Sequence, residues 1–276
     1  MKPTSSSPIG VFDSGVGGLS ILKALQTQLP HEQFVYVADS SHAPYGERDA
    51  TFVHQRAAHL MQYLREQYHV KALVVACNTA TALAIQDMRK ACPELPMFGV
   101  EPAIKPAAAL SHTKRVAVMA TPATLQSEKF QRLLGSLTGE AEFVLQACEG
   151  LADAIEQQWQ HDNNAQVQAL CDKFVQAMGR FGTQPGQIDT LVLGCTHYPF
   201  AMNELRVLLG PDVQMVETGA PVARHAQSVL DTAGLLRASG EGSVVLLATG
   251  DTQNLQHAAH MWLSKSQGNL MVQPLA

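Results

Sequence analysis

Charge is scarce in this chain of 276 residues: Asp, Glu, Lys and Arg together make up 16%, and no long block of either sign stands out. The formal net charge is -5, without the positive stripe that a phosphate backbone demands, so direct nucleic-acid binding is not expected. Gln, His, Ser and Thr replace part of the missing charge, and with 46% apolar residues the composition is that of a packed core, not of a disordered chain. No apolar run approaches the roughly 20 residues of a membrane span. The opening MKPTSSSPIG has one lysine and no apolar segment, which predicts a frayed polar tail over residues 1–7 and no secretory leader. Paired cysteines are absent too. Cys77, Cys92, Cys148, Cys171 and Cys195 form an odd set without a CxxC, which argues against a disulfide scaffold and for a reducing, cytoplasmic setting.

What is present is alternation. Short apolar runs, Ile9 to Phe12, Phe34 to Ala38, Ala72 to Ala76, Arg115 to Ala120, Phe143 to Ala147, Thr190 to Gly194, Gln214 to Val216 and Val244 to Ala248, each lead into a turn and then into helical spacing. That is the pattern of β-α units around a mainly parallel sheet. Leu19, Leu22, Leu25 and Leu29 mark one helix, and Phe52, Leu60, Leu64 and Tyr68 mark a longer one. Thr121-Pro122 is a good helix opening, a hydroxyl cap followed by proline at the first helical position. A helical stretch from Leu151 is interrupted by His161-Asp162-Asn163-Asn164 and resumes toward Gly179. In open parallel sheets ligands sit at the carboxyl edge of the strands.

Two stretches carry the chemistry. Leu73-Val74-Val75-Ala76-Cys77-Asn78-Thr79 and Leu191-Val192-Leu193-Gly194-Cys195-Thr196-His197 share one plan: an apolar run, a cysteine, a polar pair and an expected helix. A single buried cysteine is usually a small core residue. The repetition tells against that, because a core role gives no reason for polar pairs to follow each thiol where burial is costly. The wide spacing does not suit a structural zinc site, and a Cys-His nucleophile needs one thiol only. Two thiols suit proton removal from one face of a carbanionic carbon and delivery to the other. A thiol of ordinary pKa is only about 3% ionised at pH 7, so its surroundings must favour the thiolate.

Asp13-Ser14-Gly15-Val16-Gly17-Gly18 lies between a strand and a helix. It is not the GxGxxG fingerprint, because position 20 is Ser20, and no phosphate-binding lysine follows, so a small anion cradle is favoured over a nucleotide site. Asp39-Ser40 ends the next strand ahead of Pro44-Tyr45-Gly46, and Asp39 fits turn capping and substrate binding equally well.

Taken in order, Gly10-Val11-Phe12-Asp13-Ser14-Gly15-Val16-Gly17-Gly18-Leu19, Pro44-Tyr45-Gly46, Ala76-Cys77-Asn78-Thr79-Ala80 and Leu193-Gly194-Cys195-Thr196-His197-Tyr198-Pro199 resemble the bacterial glutamate racemases of the aspartate/glutamate racemase family. The resemblance implies an α/β fold of two pseudo-symmetric lobes with mainly parallel central sheets and an interdomain active site. It divides the chain into a first lobe over residues 1–100, completed by residues 213–276, and a second over residues 101–212. It implies interconversion of L- and D-glutamate for peptidoglycan synthesis with no cofactor and no metal. Cys77 would take the α proton of D-glutamate and Cys195 that of L-glutamate. Asp13, His197 and Glu149 would assist, and Asp13, Ser14, Asp39, Ser40, Pro44, Tyr45, Gly46, Asn78, Thr79, Thr196 and His197 would line the substrate.

Glutamate is the implied partner, a homodimer the implied assembly, and some members respond to a cell-wall-precursor activator. Two segments depart from the family pattern. Ala147-Cys148-Glu149-Gly150 stands where a Val-Glu-Glu-Gly-like segment is usual, and Glu217-Thr218-Gly219 where an Asp-Ser-Gly-like one is usual. Competing readings are an aspartate or other small-carboxylate racemase, and a non-catalytic regulatory protein on the same scaffold.

Overall fold

The computed structural model describes residues 3–161, 164–263 and 271–275. The chain divides into two compact units, one of residues 1–100 with 219–276 and the other of residues 101–218. Asp162 and Asn163, within the expected helix interruption, and the first two residues of the polar tail lie outside the described residues.

The first unit is built on a six-stranded sheet in the order β10-β9-β2-β1-β3-β4. Its strands are β1 (Ile9–Asp13), β2 (Gln33–Ala38), β3 (Ala72–Val75), β4 (Met97–Gly99), and the returning β9 (Ser243–Ala248) and β10 (Val272–Pro274). All neighbours run parallel, with Ile9 opposite both Phe34 and Ala72. Parallel strands are covered on both faces, so they need apolar residues at consecutive positions. Every residue of β1 and β3 is buried. Helices α1 (Leu19–Gln28), α2 (Ala50–Tyr68), α3 (Asn78–Leu83) and α4 (Ile85–Ala91) connect the strands. Leu60 and Leu64 of α2 are fully buried with Phe12, Val75 and Leu247 in one cluster, each contributing about 1.5–3 kcal/mol.

The second unit repeats part of this plan. Its strands β5 (Arg115–Ala120), β6 (Glu142–Ala147), β7 (Thr190–Leu193) and β8 (Gln214–Val216) are ordered β6-β5-β7-β8. That is the order of β2-β1-β3-β4, again wholly parallel. Its helices are α5 (Ile104–Leu110), α6 (Pro122–Gln126), α7 (Glu128–Gly135), α8 (Leu151–His161), α9 (Ala165–Met178) and α10 (Met202–Leu209). The Thr121-Pro122 opening acts as expected: the Thr121 side chain accepts from Thr124 N–H. The chain returns through α11 (Gly219–Thr232) and α12 (Thr252–Trp262). The expected return at residue 213 comes too early, because β8 hydrogen-bonds to β7 and keeps residues 213–218 in the second unit.

The described part of the N-terminal tail is a turn, not a frayed end. Ser7 N–H donates to Thr4 O, and Ser5 O accepts from Lys71 Nζ at 2.7 Å. Lys71 is itself completely buried and pairs with Glu32 at 2.6 Å, whose other oxygen takes the Arg237 N–H at 2.9 Å. This pair joins the start of β3, the start of β2 and the segment leading into β9. No described helix is long and apolar enough to cross a membrane.

Candidate active site

In both units the chemistry gathers at strand ends. Ala76 N–H donates to Phe12 O and Gly194 N–H to Met119 O, so Cys77 and Cys195 follow matching strands at matching positions. All five cysteines are free thiols.

Cys77 caps α3, and its Sγ accepts from Ala80 N–H at 3.5 Å, an acceptor role that suits a thiolate. The thiol also lies 3.9 Å from Ser14 Oγ, which in turn donates to Asp13 Oδ1 at 3.4 Å. Asp13 is fully buried. Its Oδ2 accepts the Gly18 N–H at 2.6 Å, so this backbone amide of the expected anion cradle is already occupied by the loop's own carboxylate. A β carbon at Gly18 would lie 2.7 Å from Asp13 Cβ and 2.9 Å from the Tyr36 hydroxyl, so only glycine lets the loop close around that acid.

Asn78 and Thr79 are buried behind the thiol, with Asn78 Nδ2 donating to Val100 O at 3.2 Å. Asp39 sits at the end of β2, and its carboxylate is fully engaged. Arg56 donates to both oxygens at 2.9 and 2.8 Å, the Tyr45 hydroxyl to Oδ2, and His42 Nδ1 lies 3.0 Å from Oδ1. Burial acts to raise the Asp39 pKa, but the bonds from Arg56 and Tyr45 outweigh it and hold the carboxyl below its usual range. The same burial, with Asp39 next to it, pushes the Tyr45 hydroxyl far up, so it stays a donor. Asp39 therefore holds the Pro44-Tyr45-Gly46 turn. Ser40, Pro44 and Gly46 are partly buried beside it.

In the second unit Cys195 Sγ lies 3.7 Å from His197 Nδ1, and His197 Nε2 lies 2.6 Å from Glu156 Oε1. All three residues are buried, as is Thr196. Burial alone would depress the imidazolium. Hydrogen bonds and charge from Cys195 and Glu156 outweigh it and hold the His197 pKa well above the ordinary value. An imidazolium donates from both ring nitrogens, to the carboxylate on one side and to sulfur on the other. Cys148 and Cys171 are different. Burial first, with neighbouring thiols adding to it, pushes Cys148 far up, and burial with the Glu204 charge pushes Cys171 up to about 12. Both stay protonated, packing thiols.

Glu149 is exposed just ahead of α8, while Glu156, within α8, turns inward to His197. The sequence signal was weak: Glu156 borders the apolar stripe of Leu151, Ala152 and Ile155, an unusual place for an acid without a partner. Glu217 is exposed and Thr218 buried between β8 and α11. Among the described residues no three His, Cys, Asp or Glu side chains are grouped to hold a metal ion.

Residues 9–220 match the profile of the Asp/Glu/Hydantoin racemase family. The chain is 42% identical over 250 residues to glutamate racemase of Stutzerimonas stutzeri, covering 91% of each. It superposes on the crystal structure of a glutamate racemase isoform from Bacillus anthracis with a TM-score of 0.85 at 29% identity, covering 99% of this chain and 98% of that one. It is also similar to Escherichia coli glutamate racemase in complex with L-glutamate and the activator UDP-MurNAc-Ala, with a TM-score of 0.84 at 26% identity over 98% of both chains.

Proposed function

The chain belongs to the Asp/Glu/Hydantoin racemase family, and from that premise we propose that it interconverts L- and D-glutamate with Cys77 and Cys195 as the two acid/base groups. It is a racemase, and glutamate is the substrate named for the relatives that span nine-tenths of it. The observation that carries the site is the pair of buried thiols at matching strand ends, each beside its own polar partner: Ser14 and Asp13 for one, His197 and Glu156 for the other.

One thiolate removes the α proton, and the other thiol protonates the opposite face. In the L-to-D direction Cys195 is the base. The imidazolium of His197, held charged by Glu156, stabilises the thiolate before transfer, and the proton taken from the α carbon then sits on the Cys195 sulfur. In the D-to-L direction Cys77 is the base, with Asp13 acting through Ser14. Asn78, Thr79, Thr196, Ser14 and the Pro44–Gly46 turn supply hydrogen bonds to the substrate carboxylates. Placement within hydrogen-bond reach supplies much of the rate, since near-attack geometry is worth several kcal/mol, about 7–11 in favourable cases. No cofactor takes part in these steps, so activity is expected to survive dialysis and carbonyl reagents that remove pyridoxal phosphate.

On this proposal the enzyme is a cytoplasmic homodimer that supplies D-glutamate for peptidoglycan, which light scattering of the purified protein and depletion in the cell would test. The direct experiment follows optical rotation and α-hydrogen exchange for each enantiomer of glutamate and of aspartate in deuterated water. Racemisation of aspartate without glutamate would overturn the substrate assignment.

A sharper check concerns Glu156. Glu156→Gln removes the charge of one of the two partners, Cys195 and Glu156, that raise the His197 pKa against burial. The His197 limb in the pH profile of the L-to-D rate is expected to move to lower pH. An unshifted limb would separate Glu156 from the proton transfer.

A further inference from the structure

In the first unit, on the Cys77 side, lies a buried ionic network that the proton-transfer scheme does not use. Asp39 has no exposed surface, yet its carboxylate is ionised, and Arg56 on α2 meets it with both arms of the guanidinium fork. Such bidentate pairing is geometrically specific, and a lysine at the same place would supply only a point charge. Asp39 passes that order on. It accepts the Tyr45 hydroxyl, and the Tyr45 ring packs in the same apolar cluster as Cys77 and Ala80. Phe52, on the same helix as Arg56, meets the Tyr45 ring edge-on at 6.4 Å between centroids. The far side of the turn is tied down as well, because Ser41 bonds to Thr249 at the end of β9 through both its N–H and its hydroxyl.

We infer that Arg56 is a positioning residue for the reaction: through Asp39 it sets the Tyr45 side chain, and with it the backbone of the Pro44–Gly46 turn that receives the substrate carboxylate. The inference rests on the glutamate reading given above. Arg56 acts through two intervening side chains. Without it, a fully buried carboxylate is left without its countercharge, and that carboxylate either takes up a proton or moves toward water. Either change alters the acceptor that Tyr45 depends on, and the turn shifts with the ring. Arg56 bonds to both oxygens of Asp39 and reaches the Cys77 cluster through Tyr45, so substrate placement is the first thing that its loss changes.

The test is steady-state kinetics of the purified full chain on D- and L-glutamate for Arg56→Met, Arg56→Lys, Asp39→Asn and the Asp39→Asn, Arg56→Met double variant. Arg56→Met is expected to raise KM about tenfold or more, with kcat within about threefold of wild type, since displacement of a binding group acts first on substrate placement. Arg56→Lys should fall between the two, keeping the charge and losing the fork. The double variant should recover most of the lost KM, because the asparagine amide oxygen still accepts from Tyr45 and no uncompensated charge remains. An unchanged KM in Arg56→Met overturns the inference. So does a parallel fall of kcat and active fraction that Asp39→Asn fails to rescue, which is the signature of a merely structural role. If Arg56→Met does not fold, Arg56→Lys and the double variant decide by the same KM criterion. Wild-type turnover tests the glutamate reading, whereas the ratio of variant to wild type tests Arg56 alone.

Discussion

Replacing either Cys77 or Cys195 by serine is expected to lower racemisation of glutamate by about 10³-fold or more, the scale of losing a positioned acid/base group. Serine preserves nearly the same volume at both buried positions, and the strand ends that carry them are held by backbone bonds to Phe12 O and Met119 O. Folding should therefore survive. What is lost is ionisation, since a hydroxyl does not give up its proton near neutral pH as a thiol does.

The two variants should fail differently. Cys77→Ser keeps the base for L-glutamate, so slow exchange of the α hydrogen with deuterated solvent should persist for L-glutamate and vanish for D-glutamate. Cys195→Ser should show the reverse. Equal exchange of both enantiomers in either variant would defeat the two-base scheme. As controls, Cys148→Ser and Cys171→Ser should keep turnover, because both thiols are buried packing groups held protonated.

The second large effect is on stability and lies far from the thiols in sequence. Glu32→Ala should destabilise the protein by about 3–5 kcal/mol, the usual cost of stranding one partner of a buried ion pair. Glu32 and Lys71 are 1% and 0% exposed, and Glu32 also holds the Arg237 N–H. Urea denaturation followed by circular dichroism measures the loss. A pH dependence should come with it. Burial already lowers the Lys71 pKa, against the opposing pull of Glu32. Without Glu32 it falls further below its unfolded value. Between the folded and unfolded pKa the unfolded chain then binds more protons, so stability rises with pH. The deficit of Glu32→Ala should shrink as the solution becomes alkaline. A deficit that is independent of pH and under about 1 kcal/mol would mean that Lys71 reaches water. Replacing both partners, in Glu32→Gln with Lys71→Met, should cost less than Glu32→Ala, since no charge is left stranded.

Much of the fold was legible because parallel strands that are covered on both faces must be apolar at successive positions. The runs ending at Asp13, Ala38, Val75, Ala120, Ala147, Leu193, Val216 and Ala248 are strands within a residue or so of where hydrophobicity placed them. The short β4 and β10 were not foreseen. Each has three residues and completes a sheet edge whose pairing comes from a neighbour, not from its own pattern. The return to the first unit is expected too early for a related reason: β8 pairs with β7 over residues 214–216, and the second unit runs on to residue 218.

The strand-end thiols needed no tertiary information, because an apolar run, a cysteine and a polar pair are local features repeated in order. Their partners did need it. Glu156 meets His197 across 41 residues, Arg56 meets Asp39 across 17, and Lys71 meets Glu32 across 39. A carboxylate next to the right motif, Glu149, turned out to face solvent, and an unremarked one two helical turns later faces the histidine. Periodicity encodes which face of an element is buried. It does not encode which distant polar group will be waiting there, because that match is made only when the elements pack and every buried charge must find its countercharge or hydrogen bond.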